Sequence, residues 1–269
     1  MEKLIITIAP TGNVPTRALT PHVPLTAAEI AADIAACQRE GAAIAHIHAR
    51  DVDGKPTHEL AYFQSIFNEL DKYDCPIVRQ ISTGGRAGKT PEARAEALVL
   101  NPLSASLTTG STNFPNLAYV NAPDLIDHLA GIMKERNIKP ELEVFDAAMV
   151  ANAVYLLKRG LIGEPLQFNL VMGIKGAIPA TPKNLLFLVD SLPAGAVWSV
   201  SVIGPQHVPL SMMAMAMGGH VRVGVEDNIY YSKGVLATNV ALVKRIVAIA
   251  QAMGREVATA ADARRILGL

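Results

Sequence analysis

Aromatic residues make up only 5 % of this 269-residue chain, and it has just two cysteines, Cys37 and Cys75. Two cysteines with no motif around them exclude a disulfide scaffold and read as buried thiols in a reducing compartment. Neither sign of charge predominates, with 24 Lys plus Arg against 24 Asp plus Glu. Lacking a basic run, the chain is not expected to bind nucleic acid, because counterion release needs clustered positive charge. No apolar stretch reaches the length of a membrane span, and MEKLIITIAP enters a strand without an apolar leader. A cytoplasmic protein with no membrane partner is expected. No linker-like or low-complexity segment divides residues 1–269, and half of them are hydrophobic, enough for one large core. The GxGxxG turn of dinucleotide-binding sheets is also missing: Thr11-Gly12-Asn13 offers a lone glycine. That counts against a doubly wound open sheet.

What is present is alternation. Short apolar runs predict strands at about 4–9, 43–48, 76–81, 104–108, 141–145, 167–171, 197–202 and 220–225. Helical stretches separate them. Thr26 and Glu29 form a capping box for a helix to about residue 40, and Thr90-Pro91 is an N-cap and N1 pair for a helix to about residue 100. Eight strand-then-helix units in one α/β chain predict a single (β/α)8 TIM barrel.

His46-Ile47-His48 ends the second strand. Side chains alternate faces in a strand, so the two imidazoles project to one side, where they can meet a single metal ion. HxH alone is equally compatible with two hydrogen-bonded strand histidines. The same parity places Ser104, Ser106, Thr108, Glu141, Glu143, Phe145, Gln167, Asn169, Arg222 and Glu226 inside the barrel. Branched apolar residues ordinarily fill such an interior, and buried polar groups are costly unless partnered. The polar interior therefore reads as a site, the alternative being a satisfied core with structural pairs such as Glu143–Arg222.

Catalytic zinc typically takes three protein ligands. Glu226, just past the eighth strand, has the parity and the barrel end to join His46 and His48, and Asp227 beside it can serve as a general base. Read alone, Glu226-Asp227 is an ordinary acidic turn. Ser82-Thr83-Gly84-Gly85 follows the third strand, where hydroxyls and amides can hold a carboxylate or oxyanion. A plain turn is the other reading. His22, His58, His128 and His207 have no comparable context and read as surface or structural.

APTG, AHIHARD, QISTGG, TTGSTNFP and GGHVRVGVEDNIYYSKG together resemble the β-keto acid cleavage enzymes nearly end to end. The resemblance implies a TIM barrel, generally a homotetramer, with a divalent metal, usually zinc. It also implies conversion of a β-keto acid and acetyl-CoA into acetoacetate and a new acyl-CoA by a retro-Claisen-type reaction. His46, His48 and Glu226 match the metal ligands, Asp227 the base and Arg222 its charged partner. Ser82 and Gly85 match substrate contacts, and Ser106 replaces a threonine. The base, positioned by Arg222 and by Ser82 as a further catalytic residue, is expected to act on the acetyl methyl of acetyl-CoA. The type enzyme has a glutamate for its substrate's amino group where this chain has Val14. An unpaired buried ammonium is heavily penalised, so a neutral or apolar β-keto acid is expected in place of 3-keto-5-aminohexanoate. A metal-dependent TIM-barrel hydrolase, a non-catalytic metal- or metabolite-binding barrel and a sugar-phosphate aldolase are the remaining readings. Only His220 could supply the extra late-strand histidine of such a hydrolase, and it sits at the wrong end of its strand.

Overall fold

The computed structural model describes residues 1–85 and 90–269. Eight parallel strands close into a barrel: β1 (Ile6–Ile8), β2 (Ile44–Ile47), β3 (Val78–Ile81), β4 (Ser104–Thr108), β5 (Lys139–Val144), β6 (Gln167–Met172), β7 (Val197–Val202) and β8 (His220–Val223). Around it lie α1 (Ala27–Arg39), α2 (Leu60–Leu70), α3 (Pro91–Ala95), α4 (Pro123–Glu135), α5 (Ala147–Lys158), α6 (Pro182–Asp190), α7 (His207–Ala216), α8 (Asn239–Ala252) and α9 (Ala260–Leu267). Among the described residues no helix is long and apolar enough to cross a membrane.

The expected caps form. Thr26 accepts from the Glu29 amide while Glu29 accepts from the Thr26 amide, and Thr90 accepts from Ala93 with Pro91 in the first turn. The helix predicted to reach residue 100 stops at Ala95 and tightens into a 3-10 turn, Glu96–Leu100, which Asn101 ends at φ 48°. Three short hairpins were not expected: Ala49–Arg50 with Pro56–Thr57, Thr112–Phe114 with Leu117–Tyr119, and Tyr230–Ser232 with Val235–Leu236.

The core is a sleeve between strands and helices. Ile47, Leu107, Leu142, Phe168, Val200 and Val221 face outward into it and are fully buried, each contributing roughly 1.5–3 kcal/mol. The inward side chains are polar, and register pairs them: His46 lies beside Gln80, Gln80 beside Ser104, Thr108 beside Glu143, and Ser201 beside Arg222. At the N-terminal end Ile5, Ala43, Ile44 and Val78 meet Ala263 and Leu267 of α9 in an apolar plug. Polar chemistry is thereby left to the C-terminal mouth, as the fold requires.

Candidate active site

β2 delivers the two histidines. His46 Nδ1 lies 2.7 Å from Gln80 Oε1, and Gln80 Nε2 donates to Ser104 Oγ at 3.1 Å. A carbonyl oxygen only accepts, so Nδ1 carries the proton and Nε2 keeps a free lone pair. Burial, then the nearby Arg222, pushes the His46 pKa down to about 3, so the ring is neutral. The two rings meet edge-on with centroids 5.1 Å apart.

β8 delivers the carboxylates through a tight turn. A Cβ at Gly224 would lie 1.9 Å from the Ala9 carbonyl oxygen, so the close approach of β8 to β1 admits only glycine. Val225 N donates to Asn239 Oδ1 at 2.7 Å, and Asn228 Nδ2 donates to Val202 O at 2.7 Å, bolting the turn to α8 and β7. Glu226 Oε1 then lies 3.3 Å from His48 Nε2 and 3.8 Å from His46 Nε2. Gly12, at φ +62°, makes room for it: a Cβ there would sit 2.5 Å from Glu226 Cγ.

Arg222 gathers three carboxylates. Its Nε and Nη2 donate to the two oxygens of Asp227, each at 3.0 Å; Nη1 donates to Glu143 Oε1 at 3.2 Å, and Nη2 also reaches Glu226 Oε1. Burial would lower the Arg222 pKa, but Asp227, Glu226 and Glu143 hold it well above its ordinary value. The two neighbouring acids part company. Burial raises the Asp227 pKa, with Glu226 adding to it against Arg222. Glu226 is also buried, yet the Arg222 guanidinium holds it well below the carboxylate range. One carboxyl is a fixed anion and the other is suited to exchange a proton, a division of labour that environments impose on paired acids. Replacing Arg222 with Met should leave three buried carboxylates facing one another. The expected loss is about 3–5 kcal/mol, read as a lowered urea midpoint of the metal-free protein at neutral pH.

His46, His48 and Glu226 place their donor atoms within 4.8 Å of one another. Two imidazoles and a carboxylate form a set that suits zinc, and Gln80 fixes the tautomer as an outer partner should. Glu226 Oε2 is buried with no hydrogen-bond partner among the described residues, an atom that a cation would satisfy. A deeper set, His46 with Glu141 and Glu143, also meets the distance test. It is the weaker choice, because both Glu143 oxygens are already bonded, to Arg222 and Thr108, whereas Glu226 has only Oε1 engaged among the described residues.

The 82–85 turn borders the same space. Thr83 N donates to Ser106 Oγ at 3.3 Å, Thr83 O accepts from Arg94 Nε at 2.6 Å, and Gly84 O accepts from His58 Nε2 at 2.7 Å. Ser106 therefore supports the turn from beneath, while Ser82 and Val14 line the cavity, which holds about 320 Å³. Arg50, given no role by sequence, donates to the carbonyls of Gly12, Pro15 and Gly54, each at 2.9 Å, and so fixes the loop bearing Val14. Arg94 was likewise missed, while His58 takes the structural role expected of it: a buried arginine and a buried histidine hold the turn in place. The Glu143–Arg222 pair of the structural reading does form, but as one limb of a cluster open to the cavity. His220 lies at the start of β8, its Nδ1 accepting from Ile5 N at 3.0 Å, remote from any ligand role at the mouth.

A family model for the beta-keto acid cleavage enzymes matches residues 3–269. The chain is 42 % identical over 272 residues to a 3-keto-5-aminohexanoate cleavage enzyme of Acetoanaerobium sticklandii, covering all of this chain and 99 % of that one. It is 40 % identical over 272 residues to a 3-oxoadipate:acetyl-CoA acetyltransferase of Cupriavidus necator, covering all of this chain and 95 % of the other. Among solved structures, apo ObcA superposes with a TM-score of 0.79 at 22 % identity, over 93 % of this chain and 66 % of that one, a likeness of fold. With a match along its whole length, the chain belongs to the β-keto acid cleavage enzyme family.

Proposed function

We propose that this chain converts acetyl-CoA and a β-keto acid with a neutral, apolar side chain into acetoacetate and a new acyl-CoA, with zinc or another divalent metal bound. One observation carries the reading: the His46–His48–Glu226 set and the Arg222–Asp227 pair line the same cavity. The metal supplies Lewis-acid polarisation of the substrate's keto oxygen.

Asp227, gripped by the Arg222 fork, removes a proton from C2 of the keto acid, the methylene between keto and carboxylate groups. Atom balance selects C2 over the acetyl methyl of acetyl-CoA expected from sequence. Acetoacetate is an acetyl group joined to a CH2–carboxylate unit, so the new bond runs from C2 to the acetyl carbonyl carbon. As that bond forms, the C–S bond breaks and CoA thiolate leaves. The thiolate adds to C3, the C2–C3 bond breaks, and the proton on Asp227 returns to C2 of acetoacetate. Nothing is oxidised or reduced. The Ser82 hydroxyl and the 82–85 turn that carries Gly84 and Gly85 seat the substrate carboxylate, with Ser106 bracing Thr83.

The tail faces apolar side chains. Every charged residue lining the cavity, among those described, belongs to the Glu143–Arg222–Glu226–Asp227 cluster, and the apolar lining includes Val14, Leu19, Phe114, Val171, Ile203 and Ile229. The relatives' names carry an amino group or a second carboxylate on the keto acid; among the described residues, the side chains of this apolar lining carry no charge to pair with either. Val14 is 53 % exposed at the rim, so Val14→Glu should fold and shift kcat/KM towards an amino-bearing β-keto acid by about ten- to a hundredfold, the worth of one charge-assisted hydrogen bond. A homotetramer in the cytoplasm completes the reading; the exposed Tyr155, Leu186, Phe187 and Met212 on α5, α6 and α7 offer apolar surface for contact between copies. The test is to incubate purified enzyme and acetyl-CoA with a panel of β-keto acids and measure acetoacetate. Preference for apolar tails is expected; turnover of esters or amides without CoA would overturn the reading.

A further inference from the structure

Tyr119 ends the hairpin above β4. Its ring stacks on Phe114 with centroids 5.2 Å apart and meets Phe145 edge-on at 6.1 Å, while the Arg94 guanidinium lies over it at 5.8 Å. That packing carries the hydroxyl to a fixed point, 3.1 Å from Thr108 Oγ1. Thr108 has one hydroxyl proton and donates it to Glu143 Oε2 at 3.0 Å, so the Tyr119 hydroxyl is the donor to Thr108. Glu143 accepts in turn from Arg222, which holds Asp227. On its other side the Tyr119 hydroxyl accepts from the Gly85 backbone N–H, and the turn packs close: a Cβ at Gly84 would lie 3.4 Å from that hydroxyl.

We propose that Tyr119 is a positioning residue whose hydroxyl ties the 82–85 turn to the Thr108–Glu143–Arg222–Asp227 chain, so that carboxylate seat and proton acceptor keep a fixed separation. The proposal rests on the roles given above to that turn and to Asp227. Two features make the link matter. Hydrogen bonds in series within a buried site strengthen one another, and a misplacement of about 1 Å between reacting groups can cost about a hundredfold in rate. A tyrosine that only fills the cavity wall would need its ring and not its oxygen.

Tyr119→Phe keeps the ring and removes the link. The expected result is a kcat/KM for the β-keto acid lowered about tenfold, the worth of one hydrogen bond in such a network, with KM for acetyl-CoA and metal content unchanged. Acetoacetate titrated by calorimetry, without turnover, should bind several-fold more weakly. Thr108→Val breaks the next link, and kcat of the double variant should equal that of Thr108→Val alone, because coupled residues do not add. Wild-type kinetics and acetoacetate affinity in Tyr119→Phe would overturn the proposal, as would losses in kcat that multiply in the double variant. Should Tyr119→Phe not fold, wild-type kcat in Thr108→Val would do the same. A wild-type enzyme inactive on every β-keto acid would instead refute the proposed reaction, and acetoacetate binding would still decide the role of Tyr119.

Discussion

His48→Ala should carry no stoichiometric zinc and turn over at less than about one-thousandth of the wild-type rate, since the Lewis-acid contribution removed amounts to several kcal/mol of transition-state stabilisation. Of the two imidazoles His48 lies nearer the carboxylate, its Nε2 3.3 Å from Glu226 Oε1, and His46 is the other imidazole of the set. Without His48 only one imidazole and one carboxylate remain, and Arg222 already competes for that carboxylate. The fold should survive, because the strand backbone and the outward Ile47 that anchors β2 in the core are untouched. Metal analysis, circular dichroism and acetoacetate release check the prediction together. A folded, metal-free variant with full activity would dissolve the metal assignment; zinc retained by a wild-type protein with no acetyl-CoA-dependent turnover would favour a barrel that only binds metal.

The barrel was legible because most strands show one apolar parity. Val221 and Val223 face the helices, which leaves Arg222 to the interior, and Ile47 does the same for His46 and His48. Parity names what points inward but not which strands touch at which height. The Gln80–His46 contact, which fixes the imidazole tautomer, depends on the β2–β3 register. Arg50 and Arg94 were missed for another reason. Arginine is ordinarily exposed, and both are buried here because backbone carbonyls occupy their donors. The hairpin that positions Tyr119 has strands of three residues, too short for alternation to register. Local pattern specified the walls, and non-local pairing specified the chemistry.

Asp227→Asn should lower kcat by about 10²- to 10⁴-fold, the usual worth of a positioned general base, while leaving zinc binding intact. Asn preserves the side-chain shape, and its one carbonyl oxygen can still accept from the Arg222 fork, which now meets Asp227 through Nε and Nη2. What it lacks is a lone pair basic enough to take a proton from C2. Burial lifts Asp227 while Arg222 keeps Glu226 anionic, so Glu226 is too weak a base to replace it. Hydrogen–deuterium exchange at C2 of the β-keto acid, followed without acetyl-CoA, isolates this step. Wild-type enzyme should catalyse the exchange above the solution background and Asp227→Asn should not. Exchange at the wild-type rate in the variant would remove Asp227 from the proton transfer and leave Glu143, which accepts from both Thr108 and Arg222 in the same cavity, as the carboxylate to test next.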